Sequence, residues 1–70
     1  MEMEKHLLIT ASSNSSWKDA ISSAVEEASK TVDYLSSVKV LNKYADIQGN
    51  KLSTYHVDLD ITFNIDLNRD

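Results

Sequence analysis

The sequence predicts an α+β domain in the order strand, helix, strand, strand, and three observations carry this prediction. Apolar and polar residues alternate along the beginning and along the last third of the chain, a pattern typical of strands with one buried face. Between these stretches, small and apolar residues recur at helical spacing. The only glycine, Gly49, precedes Asn50 between two alternating runs and predicts a tight hairpin turn.

The first strand is predicted over residues 5–11, where Leu7, Ile9 and Ala11 share one face. His6 lies on the other face and is expected to be exposed near the terminus. Four serines and an asparagine follow, and their side chains end the strand because they compete for backbone hydrogen bonds.

The helix is predicted over residues 16–35. Ser16 and Asp19 resemble a capping box at its start, and Trp17 is expected to anchor that start on a sheet. The predicted apolar stripe consists of Trp17, Ala20, Ile21, Ala24, Val25, Ala28, Val32 and Leu35.

Residues 37–48 and 51–66 are predicted to form a long hairpin around Gly49. A helical crossover makes the first two strands parallel, so placing the third strand centrally makes every strand pair antiparallel. A tight turn pairs Val38 with Ile61, Lys39 with Asp60, Val40 with Leu59 and Tyr44 with Tyr55. A looser turn would shift this register.

Composition limits the function classes open to this single domain of residues 1–70. The chain has no cysteine, which excludes a disulfide scaffold and a zinc knuckle. Its net charge of −4 argues against a nucleic-acid partner, because phosphate binding needs a basic face. No apolar run approaches the roughly 20 residues that span a bilayer, and no signal peptide is visible. We therefore expect a cytoplasmic protein with no membrane partner.

Size and strand length predict self-association. In a domain below about 70–80 residues, one core rarely supplies more than about 3–5 kcal/mol of stability, and disulfides, structural metals or self-association usually add to it. The third strand would extend about 50 Å, whereas a compact globule of this length is about 28 Å across. Copies of the chain are the expected cover for the overhanging part. The candidate interface residues are Tyr44, Tyr55, Phe63 and Ile65.

The order of elements over residues 5–67 resembles the dodecin family. The resemblance also rests on residues 10–13, on Ala28-Ser29-Lys30-Thr31 and on the alternating third strand that ends at Phe63. It implies a hollow homododecamer with the sheets inside and the helices outside, whose best-known members bind flavins without catalysis.

The resemblance places Ser37 where flavin-binding members carry a stacking tryptophan, and His56 where they carry a glutamine that bonds the flavin ring. Ser37 cannot stack, which would remove about 1–3 kcal/mol of binding per missing aromatic partner. The opening Ser16-Trp17 and the pair Val32-Asp33 are more similar to the flavin-free calcium dodecins.

Asp58 and Asp60 alternate with His56 on the polar face of the third strand and are candidate metal ligands. They are about 7 Å apart, so calcium would need further ligands from a neighbouring strand or copy. The alternative is a solvated face that Lys39 and Lys43 partly neutralise.

Catalysis is not expected, because the serines lie in caps and turns and no phosphate-cradling glycine loop is present. The predicted function is a non-catalytic oligomeric binding or storage protein for a small ligand or cation. The alternatives are flavin binding, with Tyr44, Tyr55 or His56 replacing the stacking residue, and a structural assembly without ligand.

Overall fold

A computed structural model describes residues 2–32 and 34–66, so Asp33 and the two ends of the 1–70 range lie outside the described residues. The predicted order of elements is confirmed, and all strand pairs are antiparallel with the third strand central. The elements are β1 (Glu2–Ser13), α1 (Trp17–Ser29), β2 (Leu35–Gln48) and β3 (Lys51–Asp66).

The predicted register between β2 and β3 is present beside the hairpin turn and again over residues 37–40 of β2. Gly49 and Asn50 have φ values of 60° and 65°, the left-handed pair that a two-residue type I′ turn requires. Gln48 and Lys51 close the turn as direct partners. The predicted pairs of Val38 with Ile61, Lys39 with Asp60 and Val40 with Leu59 are all present.

Two irregularities displace the middle of this hairpin by one residue. The register shifts at Leu41 on β2 and shifts back at Ser53 on β3. An extra residue in one strand rotates the following side chains to the opposite face. Tyr44 consequently lies opposite His56, and the predicted pairing of Tyr44 with Tyr55 is wrong.

The helix begins as predicted but ends six residues early. Ser16 Oγ accepts a hydrogen bond from the Asp19 amide at 3.0 Å, and the Asp19 carboxylate accepts one from Ser13 Oγ at 2.7 Å. After Ser29 the amides of Lys30 and Thr31 bond to carbonyls three residues back, which tightens the last turn. Leu35, predicted in the helix, instead begins β2.

The core lies between α1 and the centre of the sheet. Three alanines of α1 pack on three large side chains of β3, and all six are buried. Small residues let the helix backbone approach the sheet closely. The six residues are Ala20, Ala24, Ala28, Val57, Leu59 and Ile61.

The helix covers only part of an elongated molecule. The described chain measures 56 × 19 × 12 Å, whereas the 13 residues of α1 span about 20 Å. Apolar side chains of the uncovered strands remain exposed, including Ile47 and Leu52 beside the hairpin turn. Within the described ranges, no helix is long and apolar enough to cross a membrane.

Candidate ligand-binding face

The sheet surface opposite α1 collects most of the polar candidates, and we call it the polar face. On β3 this face carries Thr54, His56, Asp58, Asp60 and Thr62, which alternate with the buried core residues. The β1 and β2 residues paired directly with them share the same face, because opposed residues in a sheet point to the same side. The polar face therefore brings side chains from all three strands together.

His6 joins two carboxylates at one end of the polar face. Its Nδ1 lies 2.7 Å from Asp60 Oδ1 on β3, and its Nε2 lies 3.0 Å from Glu4 Oε1 on β1. Thr62 Oγ1 lies 3.4 Å from Nδ1. The hydrogen bonds to Asp60 and then to Glu4 raise the pKa of His6 above 6.5. His6 is exposed, as predicted, with 47% of its side chain accessible, and it is also paired with the two carboxylates.

His56 forms a second cluster toward the hairpin turn. Its Nε2 lies 2.9 Å from Asp46 Oδ2. Its ring stacks on Tyr44 with a centroid distance of 4.7 Å and an interplanar angle of 19°. The register shift at Leu41 produces this stack, because it places Tyr44 on the polar face.

The two candidate metal ligands have different protein partners. Asp58 accepts a hydrogen bond from Thr10 Oγ1 at 2.9 Å, whereas Asp60 is held by His6. Among residues 2–32 and 34–66, no group of three or more histidine, aspartate or glutamate side chains has the geometry to hold a metal ion.

The lysines expected to neutralise the polar face separate in the structure. Lys39 lies opposite Asp60 as predicted. Lys43 lies opposite the buried Val57, and its Nζ sits 5.1 Å from the centre of the Trp17 ring on the helix side. The expectation that Lys43 neutralises the polar face is therefore wrong, and the register shift at Leu41 is the reason.

The two predicted flavin-site positions are far apart within one chain. Ser37 pairs with Thr62, which lies six residues along β3 from His56, a separation of about 20 Å. Ser37 also contributes atoms to the lining of a groove of about 170 Å³, together with Val25 and Leu35. A single ligand could touch Ser37 and His56 only if different copies supplied them.

The candidate interface residues differ in their surroundings. Tyr55 packs within the chain, edge-on to Trp17 at 4.9 Å and 79°. Tyr44 is 46% exposed outside its stack with His56. Phe63 and Ile65 are partly buried and pair with Lys5 and Met3 of β1.

Trp17 fastens the start of α1 to the hairpin, as the sequence predicts. Its Nε1 donates a hydrogen bond to the Tyr44 carbonyl at 2.9 Å. This bond and the contacts with Tyr55 and Lys43 hold the Trp17 ring against the hairpin, so Trp17 has a structural role.

The histidine–carboxylate pairs are the features that sequence reasoning missed. Alternation places His6 and Asp60 each on a strand face, but 54 residues and a helix separate them, so the pattern does not give their register. His56 and Asp46 lie on the two strands of one hairpin, so the position of the turn was a signal for their proximity. The register shift, which was not predicted, concealed this proximity.

Comparison with known proteins identifies the family. The family model described as Dodecin matches residues 4–66. The chain belongs to the dodecin family. The predicted resemblance is therefore confirmed, and the β-α-β-β fold with a central third strand is the dodecin fold. A search of curated proteins finds no significant match.

Several solved dodecins are similar in fold. A mutant of the Thermus thermophilus dodecin aligns with a TM-score of 0.87 at 23% identity, covering 94% of this chain and 98% of the other. The Streptomyces coelicolor dodecin gives 0.84 at 20% identity and 93% of both chains. The calcium dodecin of Mycobacterium tuberculosis, a calcium-chelating immunodominant antigen, gives 0.77 at 24% identity and 97% of both chains. These identities support the fold and leave the ligand open.

Proposed function

We propose that this chain is a non-catalytic binding protein whose copies assemble into a hollow homododecamer that sequesters a small ligand or cation. Membership of the dodecin family supports the class of function. The observation that carries the proposal is the 56 Å length of a chain whose helix covers only about 20 Å of it.

The uncovered end of the hairpin supports assembly most directly. Ile47 and Leu52 pair across β2 and β3 and are 70% and 50% exposed. Val38 and Val40 add exposed apolar surface along β2. Removing apolar surface of this kind from water is favourable, so contacts between copies of the chain would stabilise an assembly.

The charge of the polar face favours a cation as the sequestered species. Glu4, Asp46, Asp58 and Asp60 contribute carboxylates to this face, and Lys39 lies among them. Twelve copies at −4 each would carry −48, which concentrates cations inside a closed shell. Calcium takes six to eight oxygen ligands at about 2.3–2.6 Å, so the proposed site needs carboxylates from more than one copy.

A planar aromatic ligand such as a flavin is the second candidate, and the stack of Tyr44 on His56 favours it. Tyr44 is half-exposed and offers an aromatic surface on the polar face that Ser37 cannot provide. The name of the calcium dodecin among the similar structures describes calcium chelation, so that protein supports a cation rather than a flavin as the ligand.

The assembly is tested by native mass spectrometry and light scattering at micromolar concentration. We expect a mass of about 95 kDa, twelve times the 7.9 kDa chain, that persists on dilution. A stable 7.9 kDa monomer would overturn the proposal.

A matched pair of variants locates the contact on the hairpin end. Ile47→Asp places a charge in the exposed apolar pair and is expected to lower the observed mass, because burying an unpaired charge is unfavourable. The neighbouring Gln48→Asp adds the same charge beside the turn and is expected to keep the assembly. If both variants keep the full mass of the assembly, the hairpin end is not part of the interface.

Ligand class is tested by two titrations of the assembled protein. Calorimetry with calcium should show heat of binding and thermal stabilisation, and Asp58→Asn should weaken both, because hard cations prefer charged oxygen ligands. Riboflavin fluorescence should remain unquenched at tens of micromolar. Quenching that Tyr44→Leu abolishes would favour the flavin candidate. If calcium gives no heat and riboflavin is not quenched, the result favours a structural assembly without ligand.

A further inference from the structure

A groove of about 560 Å³ lies between α1 and β1, and side chains of both elements line it. We call it the β1 groove. Because β1 is an edge strand, no further strand of the chain covers the groove on that side. Leu7 pairs with the core residue Ile61 and lines the groove, yet it remains 36% exposed. The β1 groove is therefore an open, partly apolar surface on the helix side of the sheet.

Small residues of α1 leave the space that forms the β1 groove. Ala24 and Ala28 line it from the helix, and their side chains end at Cβ. Ile9 and Ala11 line it from β1 and are only partly buried. Apolar side chains that filled this space would remove apolar surface from water and add packing contacts, and both effects are favourable.

The hairpin end, residues 47–52, carries two apolar side chains that the chain itself does not cover. Ile47 and Leu52 are direct partners and are 70% and 50% exposed. The strand β1 beside the groove pairs with Val57 and Ile61, which lie five and nine positions beyond Leu52. At about 3.4 Å per residue, the hairpin end is about 17–30 Å from the groove of its own chain. Only another copy can bring these two surfaces together.

Charge complementarity favours this pairing. Glu27 lines the β1 groove near the C-terminal end of α1, which itself carries a partial negative charge. Lys30 contacts Glu27 at 3.0 Å, but both side chains are more than half accessible, so this pair contributes little and Glu27 can exchange partners. The hairpin end carries Lys51, and the neighbouring carboxylate of Asp46 is engaged by His56. A positive hairpin end thus matches a negative groove.

We propose that the β1 groove of one copy receives the hairpin end of a second copy, with Ile47 and Leu52 in the groove and Lys51 beside Glu27. The contact is head-to-tail, because each copy gives its hairpin end and receives another. Head-to-tail contacts close into rings when the rotation between copies allows it, as a closed shell requires. The docking depends on the proposed assembly and names two surfaces that meet in it.

Disulfide trapping tests the docking directly, because the chain has no cysteine of its own. The double variant Ile47→Cys with Ser23→Cys places one thiol on the hairpin end and one in the lining of the groove. A disulfide needs Cβ atoms about 3.5–4.5 Å apart, so these two positions can be linked only between copies. Oxidised glutathione should give linked chains, in multiples of 7.9 kDa, on a denaturing gel without reductant.

The matched control moves the second thiol by one residue. Ser22 is exposed and lies outside the groove lining, so Ile47→Cys with Ser22→Cys should lose most of the linked product. Equal linking by the two double variants would overturn the proposal. Linked dimers of Ile47→Cys alone, in the same yield, would also overturn it, because they would show that two hairpin ends meet each other.

A charge exchange provides a second measurement that needs no cysteine. Glu27→Lys and Lys51→Glu should each raise the concentration at which the assembly dissociates, by about two- to fivefold per contact. The combined variant restores opposite charges and should return this concentration toward the native value. If the combined variant is no better than the single variants, these two residues are not neighbours and the proposal is overturned.

Native mass spectrometry of every variant separates failure of the docking from failure of the assembly. A full-mass assembly that gives no link between positions 47 and 23 overturns the docking and leaves the assembly standing. A native chain that stays a monomer overturns both. If the cysteine variants no longer assemble, the charge exchange decides. An apolar small molecule retained by each chain, in place of the link, would also overturn the docking.

Discussion

Replacing Leu59 by alanine is expected to destabilise the fold by about 3 kcal/mol, within the range of about 2–5 kcal/mol for buried leucines. Leu59 is 1% exposed and is one of three large side chains that fill the space beneath α1. The alanines of the helix cannot move inward to close the cavity, because their backbone already lies close to the sheet. A core of this size supplies only about 3–5 kcal/mol, so the variant should be close to unfolding as an isolated chain.

The same substitution at Leu8 provides the control. Leu8 lies on the polar face and is 70% exposed, so Leu8→Ala should cost less than about 1 kcal/mol. Urea denaturation followed by circular dichroism measures both variants. The protein concentration must be held fixed, because the proposed assembly would make the transition concentration-dependent. Equal losses for Leu8→Ala and Leu59→Ala would mean that contacts between copies, rather than the core beneath α1, dominate stability.

The sequence predicts the fold well because its strongest signals are periodic. Alternation along residues 51–66 and the turn at Gly49 are sufficient to give the register of Val40 with Leu59. The order of strands then follows from the helical crossover, which makes the first two strands parallel, so that a central third strand makes every pair antiparallel. A single residue type at one position does not change these patterns, which explains their agreement with the structure.

The site is less predictable because single residues decide it. Leu41 and Ser53 have no distinguishing chemistry, yet the register shifts at these two positions exchange the faces of Lys43 and Tyr44. A bulge depends on the twist and packing of the whole sheet, and local propensity does not encode it. The stack of Tyr44 on His56 could therefore be found only from the structure.

The end of the helix illustrates a competition that sequence periodicity cannot resolve. Val32 and Leu35 continue the apolar spacing of α1, but the helix ends at Ser29. Leu35 instead pairs with Phe63 at the start of β2. Both elements bury Leu35 and pair its backbone, so apolar spacing alone does not decide between them.

Replacing Trp17 by alanine is expected to destabilise the fold by about 2–3 kcal/mol. This value is below the roughly 3–5 kcal/mol typical of fully buried tryptophan, because Trp17 is only partly buried. The variant loses the edge contact with Tyr55, the hydrogen bond to the Tyr44 carbonyl and the contact with Lys43. These contacts connect the first turn of α1 to the hairpin beyond the core, so their loss should loosen the overhanging end as well.

Trp17→Phe separates the ring from its hydrogen bond. Phenylalanine keeps an aromatic edge for Tyr55 but has no N–H, so the expected loss is about 1 kcal/mol. Circular dichroism in urea at fixed concentration gives both values, and hydrogen exchange at the amides of Tyr44 and Tyr55 reports the hairpin. If Trp17→Phe is as unstable as Trp17→Ala, the hydrogen bond to Tyr44 carries the attachment. If both variants match the native chain, Trp17 does not anchor the helix.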